Sequence, residues 1–198
     1  AYIDTSRARR QGCEFSRNRH GLWQVDAIPV EFVLNLRDGF QHQISAGGIP
    51  VYYGPDGPEL ALIQVRRRGK CTWELAKGKL ELGETPAECA CRELREEMGV
   101  PDMVFEDVEQ IGTVRFGFLA PDGTPRLKTL HTFLLGTPVR VDTFAPAEGE
   151  SIVQVDWFSP RDAAKVVSHR SLRPLMRKVR RLLTGSTSTS AWVTSSGE

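Results

Sequence analysis

Glu93, Glu96 and Glu97 fall within five positions of the stretch "GKLELGETPAECACRELREEMGV", residues 78–100, and Glu88 stands one turn before them. At helical spacings of three and four such side chains become neighbours on one face, and each like-charge pair at i,i+4 costs roughly 0.2–0.5 kcal/mol. Closely held carboxylate oxygens are ligands for hard divalent cations, and Mg2+ is commonly held by one or two carboxylates, several waters and the phosphates of a substrate. The chemistry this predicts is the holding of a hard divalent cation, with substrate phosphates as further ligands. A cation neutralises phosphate charge and lowers the pKa of a bound water, and a carboxylate accepts the proton. The plainer alternative is a solvated acidic face, a common fate of charge runs, with Arg92 relieving Glu96 at i,i+4. No serine, cysteine or histidine there is given the partner that an activated nucleophile requires.

These glutamates need a helix to present them, and the stretch carries its own helix signals. Thr85 is a natural N-cap, Pro86 suits the first helical position, where its missing N–H is not needed, and Glu88 completes a capping box. Gly99 is the expected C-terminal stop. A helix is therefore predicted from about Pro86 to Met98. Ala87, Ala90, Cys91, Leu94 and Met98 recur at helical spacing and form its buried face.

Gly78, Glu84, Arg92, Glu93, Leu94, Glu96, Glu97, Gly99 and Val100 occupy every fixed position of the pattern G-x5-E-x7-R-E-U-x-E-E-x-G-U, where U is a bulky aliphatic residue. In this the chain resembles the Nudix hydrolase (MutT-like) family, and the likeness extends over residues 43–183. The resemblance implies an α/β (α+β) fold, an α/β/α sandwich with a mixed β-sheet and a catalytic loop–helix–loop. It also implies cleavage of a pyrophosphate bond in a nucleoside diphosphate linked to another group, with Mg2+ as cofactor and Mn2+ able to substitute. On that likeness Glu93 and Glu97 are metal ligands, and Glu96 is either a further ligand or the base that activates water. Glu84 positions Arg92 and supports the metal site, Gly78 permits a tight loop, and the Lys77 backbone carbonyl is a further candidate ligand. The base differs among subfamilies and can lie outside the motif.

Flanking residues bear on the substrate. "TWELAKGKLELGE" resembles the segment W-x-x-P-K-G-K-x-x-x-G-E of dinucleoside polyphosphate hydrolases, with Ala76 in place of the proline and a correspondingly less rigid loop. It also resembles ADP-ribose pyrophosphatases, but their downstream proline is absent: residues 115 and 116 are Arg and Phe. "TVRFGFLAPDGTPRLKTLHTFLL" resembles the hairpin of diadenosine and diphosphoinositol polyphosphate hydrolases. Candidate substrate contacts are Arg66, Arg68, Lys77, Lys79, Arg115, Lys128 and His131, cations suited to phosphate. Trp73 is expected to cover the core. The leading expectation is a dinucleoside polyphosphate. The alternatives are ADP-ribose or another nucleotide sugar, a nucleoside triphosphate, the 5′ end of RNA, or a nucleotide-binding regulator without turnover.

The rest of the chain must supply the scaffold. Its 198 residues, 40% hydrophobic and 26% charged, suit one soluble domain with additional terminal sequence, and a formal net charge of +1 selects no partner. Residues 1–42 read as a basic arm and a β-hairpin, "VEFVLNL" turning at "RDGF" towards "QHQIS", a segment that could also pair two copies as a homodimer. Residues 43–184 form the main domain, with "SAGGIPVYYG", "LALIQVRR", "VEQIGTVRFGFLA", "LKTLHTFLLGTPV" and "VQVDWFSP" as strands and "RGKCTWELAKG" as a loop. "PRDAAKVVSHRSLRPLMRKVRRLL" reads as helical, starting near Ser159 or Pro160 and broken or restarted at Pro174. Residues 185–198 are a Ser/Thr-rich tail, expected to be flexible. The cysteines Cys13, Cys71, Cys89 and Cys91 match no zinc spacing and read as free thiols, which with the lack of a long apolar run or a leader pattern places the chain in the cytoplasm, away from membranes.

Overall fold

Runs of aliphatic residues, several of them fully buried, make the centre of a mixed seven-stranded sheet in the computed structural model, which describes residues 14–17, 23–27, 41–67, 69–119, 125–146, 151–169 and 172–185. Its strands are β3 (Gln41–Gly54), β4 (Gly57–Arg67), β5 (Lys70–Glu74), β6 (Ala76–Lys79), β7 (Asp107–Leu119), β8 (Pro125–Thr137) and β9 (Ile152–Phe158). A separate antiparallel pair, β1 (Glu14–Arg17) and β2 (Trp23–Ala27), precedes them. Three helices follow the pattern of the chain: α1 (Pro86–Met98), α2 (Pro160–Val166) and α3 (Arg173–Gly185).

The sheet is sandwiched because both of its faces are apolar. On one face Ala46, Ile63, Val65, Ala76, Phe133 and Leu135 pack with Ala90, Leu94 and Met98 of α1. On the other, Ile49, Leu60, Leu62, Leu130 and Leu134 pack with Ala163 of α2 and Leu175, Met176 and Val179 of α3. The order of the main path is β5-β4-β3-β8-β7, with β3 parallel to β8 over Gln41–Tyr52 and Arg126–Thr137 and the other pairs antiparallel.

A fork in this sheet positions the site. Val51–Gly54 of β3 pair with Gly57–Leu60 of β4, and beyond that point the two strands take different partners. Ile63–Arg67 of β4 pair with β5, whereas Ser45–Gly48 of β3 pair with β6. Leu75 alone separates β5 from β6, so these two short strands form a corner seated in the fork, with the Leu75 side chain buried.

Helix α1 has the predicted bounds. Thr85 accepts from the Glu88 N–H and the Glu88 carboxylate accepts from the Thr85 N–H, a reciprocal capping box. Gly99 closes the helix in the left-handed region at φ 65°, and any Cβ there would lie 1.7 Å from the Ala145 carbonyl oxygen. Cys89 joins the predicted apolar face and is fully buried, with Ala87 and Cys91 packed at its margin.

Four expectations change. "RGKCTWELAKG" is not a loop, since β5 and β6 occupy most of it. The arm contains strand β1, a four-residue run too short to show a period. "QHQIS" belongs to β3 and runs beside β8, while the "VEFVLNL" strand lies outside the described residues, as do Cys13 and the tail beyond Gly185. The C-terminal helix restarts at Arg173, beside Pro174 as expected, but its first part ends early: Ser159 caps α2, and after Val167 the chain turns to the edge of β5. There the Ser168 N–H donates to the Trp73 carbonyl at 3.1 Å and the Trp73 N–H donates to Ser168 Oγ at 3.1 Å, which takes the backbone out of the helical ladder. Trp73 meets Phe158 edge-on at 4.8 Å between ring centroids, as expected of a core cover. No helix among the described residues is long and apolar enough to cross a membrane.

Candidate active site

Arg92 organises the acidic face of α1. Its Nε and Nη2 donate to Glu84 Oε1 and Oε2 at 2.8 and 2.9 Å, a bidentate pair. Its Nη1 donates to Glu93 Oε1 at 2.8 Å and to Glu96 Oε2 at 3.1 Å, and Nη2 also reaches the Lys79 carbonyl at 3.0 Å. One guanidinium thus offsets the repulsion among three carboxylates, and the Arg92 hydrogen bond holds the Glu84 carboxyl down at about 2. The same bond to Glu84, with Glu93 adding to it, keeps Arg92 protonated.

Glu93 and Glu97 differ from the rest. Burial pushes the Glu93 carboxyl up, against the opposing pull of Arg92. Its second oxygen, Oε2, accepts no hydrogen bond from the described residues and is not sealed from solvent, so it is open to a ligand. The space it occupies is the space Gly78 leaves: a Cβ at Gly78 would fall 1.8–2.1 Å from the Glu93 carboxylate atoms. Gly78 therefore serves close approach rather than a turn, and it lies within β6 opposite Ala46. Glu97 Oε2 accepts the Lys77 N–H at 2.6 Å. Within a strand the N–H and C=O of one residue serve the same neighbour, so the Lys77 carbonyl is on the Glu97 side as well.

Could these residues hold a divalent cation? Among the described residues no three acidic, histidine or cysteine groups are drawn together as a ready coordination shell. The reason is visible: Glu93 and Glu96 lean on Arg92, and Glu97 on the Lys77 N–H. The donor set nevertheless fits. It consists of oxygen atoms, includes Glu93 Oε2, which no described residue occupies with a hydrogen bond, and is cradled by a glycine that leaves room for the carboxylate. Glu96 is the accessible member, 60% exposed against 13% for Glu93.

The candidate substrate contacts divide between the two faces of the sheet. Lys77 and Lys79 on β6 and Lys128 on β8 share the face of Ser45, Gly47 and Leu130. Burial lowers the Lys128 pKa to about 8, helped by the nearby charges of Lys77, Lys79 and Arg67 and opposed by Glu97. These four cations and Glu97 thus stand in one neighbourhood. Arg115 pairs in register with Thr129, and it and His131 belong to the opposite face, with Phe133 and Leu135. His131 Nδ1 accepts from Gln110 Nε2 at 3.2 Å. Arg66 is an exposed residue whose N–H donates to the Ser151 carbonyl, and Arg68 lies outside the described residues. The sequence reading missed Glu74 and His169, which meet Arg67, the middle residue of the arginine run 66–68, in one ion-pair network beside Lys77. Cys89 is buried with its Sγ 3.4 Å from the Lys79 carbonyl, and burial raises its thiol to about 11, so it is packing and not a nucleophile.

Known proteins resemble this chain in sequence and in fold. A Mycobacterium tuberculosis (strain CDC 1551 / Oshkosh) protein named "Putative mutator protein MutT4" is 39% identical over 99 residues, 48% of this chain, and the match spans only 38% of that relative's length. The NUDIX domain of Shewanella oneidensis NrtR, solved with ADP ribose, superposes with a TM-score of 0.56 at 17% identity, covering 77% of this chain and 97% of that one. A C. elegans Ap4A hydrolase in a binary complex gives 0.53 at 20% identity, covering 72% and 98%. At such identities these two structures speak for the fold alone. The family model for the NUDIX domain matches residues 42–183, which take in β3 to α3 and the whole glutamate helix, and the chain belongs to the Nudix family.

Proposed function

We propose that the chain is a Mg2+-dependent pyrophosphohydrolase that cleaves a nucleoside-diphosphate-linked substrate, with a dinucleoside polyphosphate as the leading candidate. The observation that carries this is the complete carboxylate set around Arg92 on α1, whose Glu97 stands in the neighbourhood of Lys77, Lys79, Lys128 and Arg67. A module that only binds nucleotides has no need for this full set.

Glu93, Glu97 and the Lys77 carbonyl would hold the cation, with Glu96 as a further ligand. When bound, it supplies charge neutralisation of the phosphates and a lowered pKa for a coordinated water. Arg92 and Glu84 fix the carboxylates, so that little reorganisation accompanies reaction. Glu96, the exposed carboxylate, is the group that solvent reaches and accepts the proton if it is not a ligand. Lys77, Lys79 and Lys128 bind the phosphate chain beside Glu97. Several cations in one neighbourhood suit a chain of phosphates better than one diphosphate, which favours the dinucleoside polyphosphate over ADP-ribose.

Lys128 makes this testable through pH. A lysine with pKa about 8 carries its proton below that pH and loses it as pH rises through it, and with it goes the attraction for phosphate. The expected result is that kcat/KM, which reports the free enzyme, falls across pH 8. In Lys128→Arg, whose guanidinium stays charged, the fall across this range disappears. An unchanged profile in that variant would remove Lys128 from the phosphate contacts. Substrate choice is read by comparing kcat/KM for a dinucleoside tetraphosphate, ADP-ribose, a nucleoside triphosphate and 5′-triphosphorylated RNA. The reading expects the dinucleotide to lead, and a clear preference for another member would replace it.

A further inference from the structure

Glu74, 1% exposed, is the only charged side chain among the described residues that is fully buried, and none of the motif positions accounts for it. A buried carboxylate is tolerated only when its charge is paired and its oxygens are satisfied. Oε1 takes three donors: Arg67 Nη1, Thr72 Oγ1 at 2.8 Å and His169 Nε2 at 2.9 Å. Oε2 takes one, Lys77 Nζ at 2.7 Å. Burial pushes the Glu74 carboxyl up, but His169, Lys77 and Arg67 together bring it well below the usual carboxylate range. It is therefore a fixed anion.

The position of the Lys77 bond matters most. Glu74 ends β5 and Lys77 is the second residue of β6, so their ion pair spans the Leu75 corner in the sheet fork. Ala76 in that corner leaves φ unrestrained, which proline would lock. The main chain of the same Lys77 holds Glu97 at 2.6 Å.

We propose that Glu74 is the positioning residue of the carboxylate site: by holding Lys77 across the Leu75 corner it sets the main-chain N–H and carbonyl against which Glu97 is placed. This rests on reading those carboxylates as a cation site. Through His169 the same anion ties the corner to the segment between α2 and α3.

The test is direct Mn2+ binding, followed by loss of the free-ion electron spin resonance signal, beside steady-state kinetics. Glu74→Gln keeps the shape and removes the charge. Mn2+ dissociation constant should rise and kcat fall by about 10–100-fold, the usual loss when support behind a metal ligand is removed. Lys77→Met leaves the other three partners of Glu74 and decides the matter if Glu74→Gln does not fold. Removing a cation near a metal site should by simple electrostatics tighten Mn2+ binding, whereas loss of positioning weakens it, so the direction of change discriminates. Thr72→Val removes a donor from Oε1 without touching the corner and should leave Mn2+ affinity unchanged. The proposal is overturned if folded Glu74→Gln or Lys77→Met binds Mn2+ as well as the unaltered chain, or if Thr72→Val weakens it equally. Absence of Mn2+ binding by the unaltered chain would instead bring down the cation-site reading itself.

Discussion

Glu97→Gln lowers kcat by roughly 10³-fold while the protein keeps its fold and its melting temperature. The size follows from the charge the substitution deletes. Cation stabilisation of phosphoryl transfer is worth several kcal/mol, and each step of about 1.4 kcal/mol is tenfold in rate. The fold survives because glutamine keeps the shape of the side chain and its carbonyl can accept the same Lys77 N–H bond. Loss of activity therefore reports on charge at the site. Kinetics with thermal denaturation of the same preparation separate the two. A variant with near-normal kcat would remove Glu97 from the cation site.

Gly78→Ala is the second large effect, and it acts through space. The added methyl would sit 1.8–2.1 Å from the Glu93 carboxylate, far inside contact distance. The obstacle is the end of a flexible side chain, so the strand holds and the carboxylate moves. Displacement of about 1 Å at a reacting centre costs on the order of 10²-fold, and the loss should appear in kcat and in Mn2+ affinity together. Ala46, opposite Gly78 in β3, stays buried, so the core does not contribute to the change. A melting temperature that collapses with activity, or a kcat close to that of the unaltered chain, would contradict the assignment of Gly78 as the seat of Glu93.

Helix α1 was legible from local signals because each of its determinants acts within one turn: Thr85, Pro86, Glu88 and Gly99 all have the predicted roles. The partnership of Arg92 with Glu84 spans eight residues and a loop, and only family resemblance suggested it. The corner formed by β5 and β6 was hidden for a specific reason. Glu74, a charged residue in the most buried position of β5, breaks the apolar alternation by which strands are recognised. Its partners Arg67, Lys77 and His169 come from three other parts of the chain, which no local pattern connects. The division of substrate candidates between faces had a readable signal. Lys128 and His131 are three apart on one strand, and an odd separation puts them on opposite sides. Arg115 needed the register of β7 on β8 before it could be placed.

The central claim is that the Arg92-organised carboxylates form a cation site that runs hydrolysis at phosphorus. The most direct measurement is a Mg2+ titration of the metal-stripped protein with a dinucleoside tetraphosphate, with products separated and identified. The account predicts no products without metal, turnover that rises to saturation with Mg2+, cleavage to nucleoside phosphates, and silence on adding chelator that further Mg2+ reverses. Turnover indifferent to chelator, or tight nucleotide binding with no product at saturating Mg2+, would contradict it.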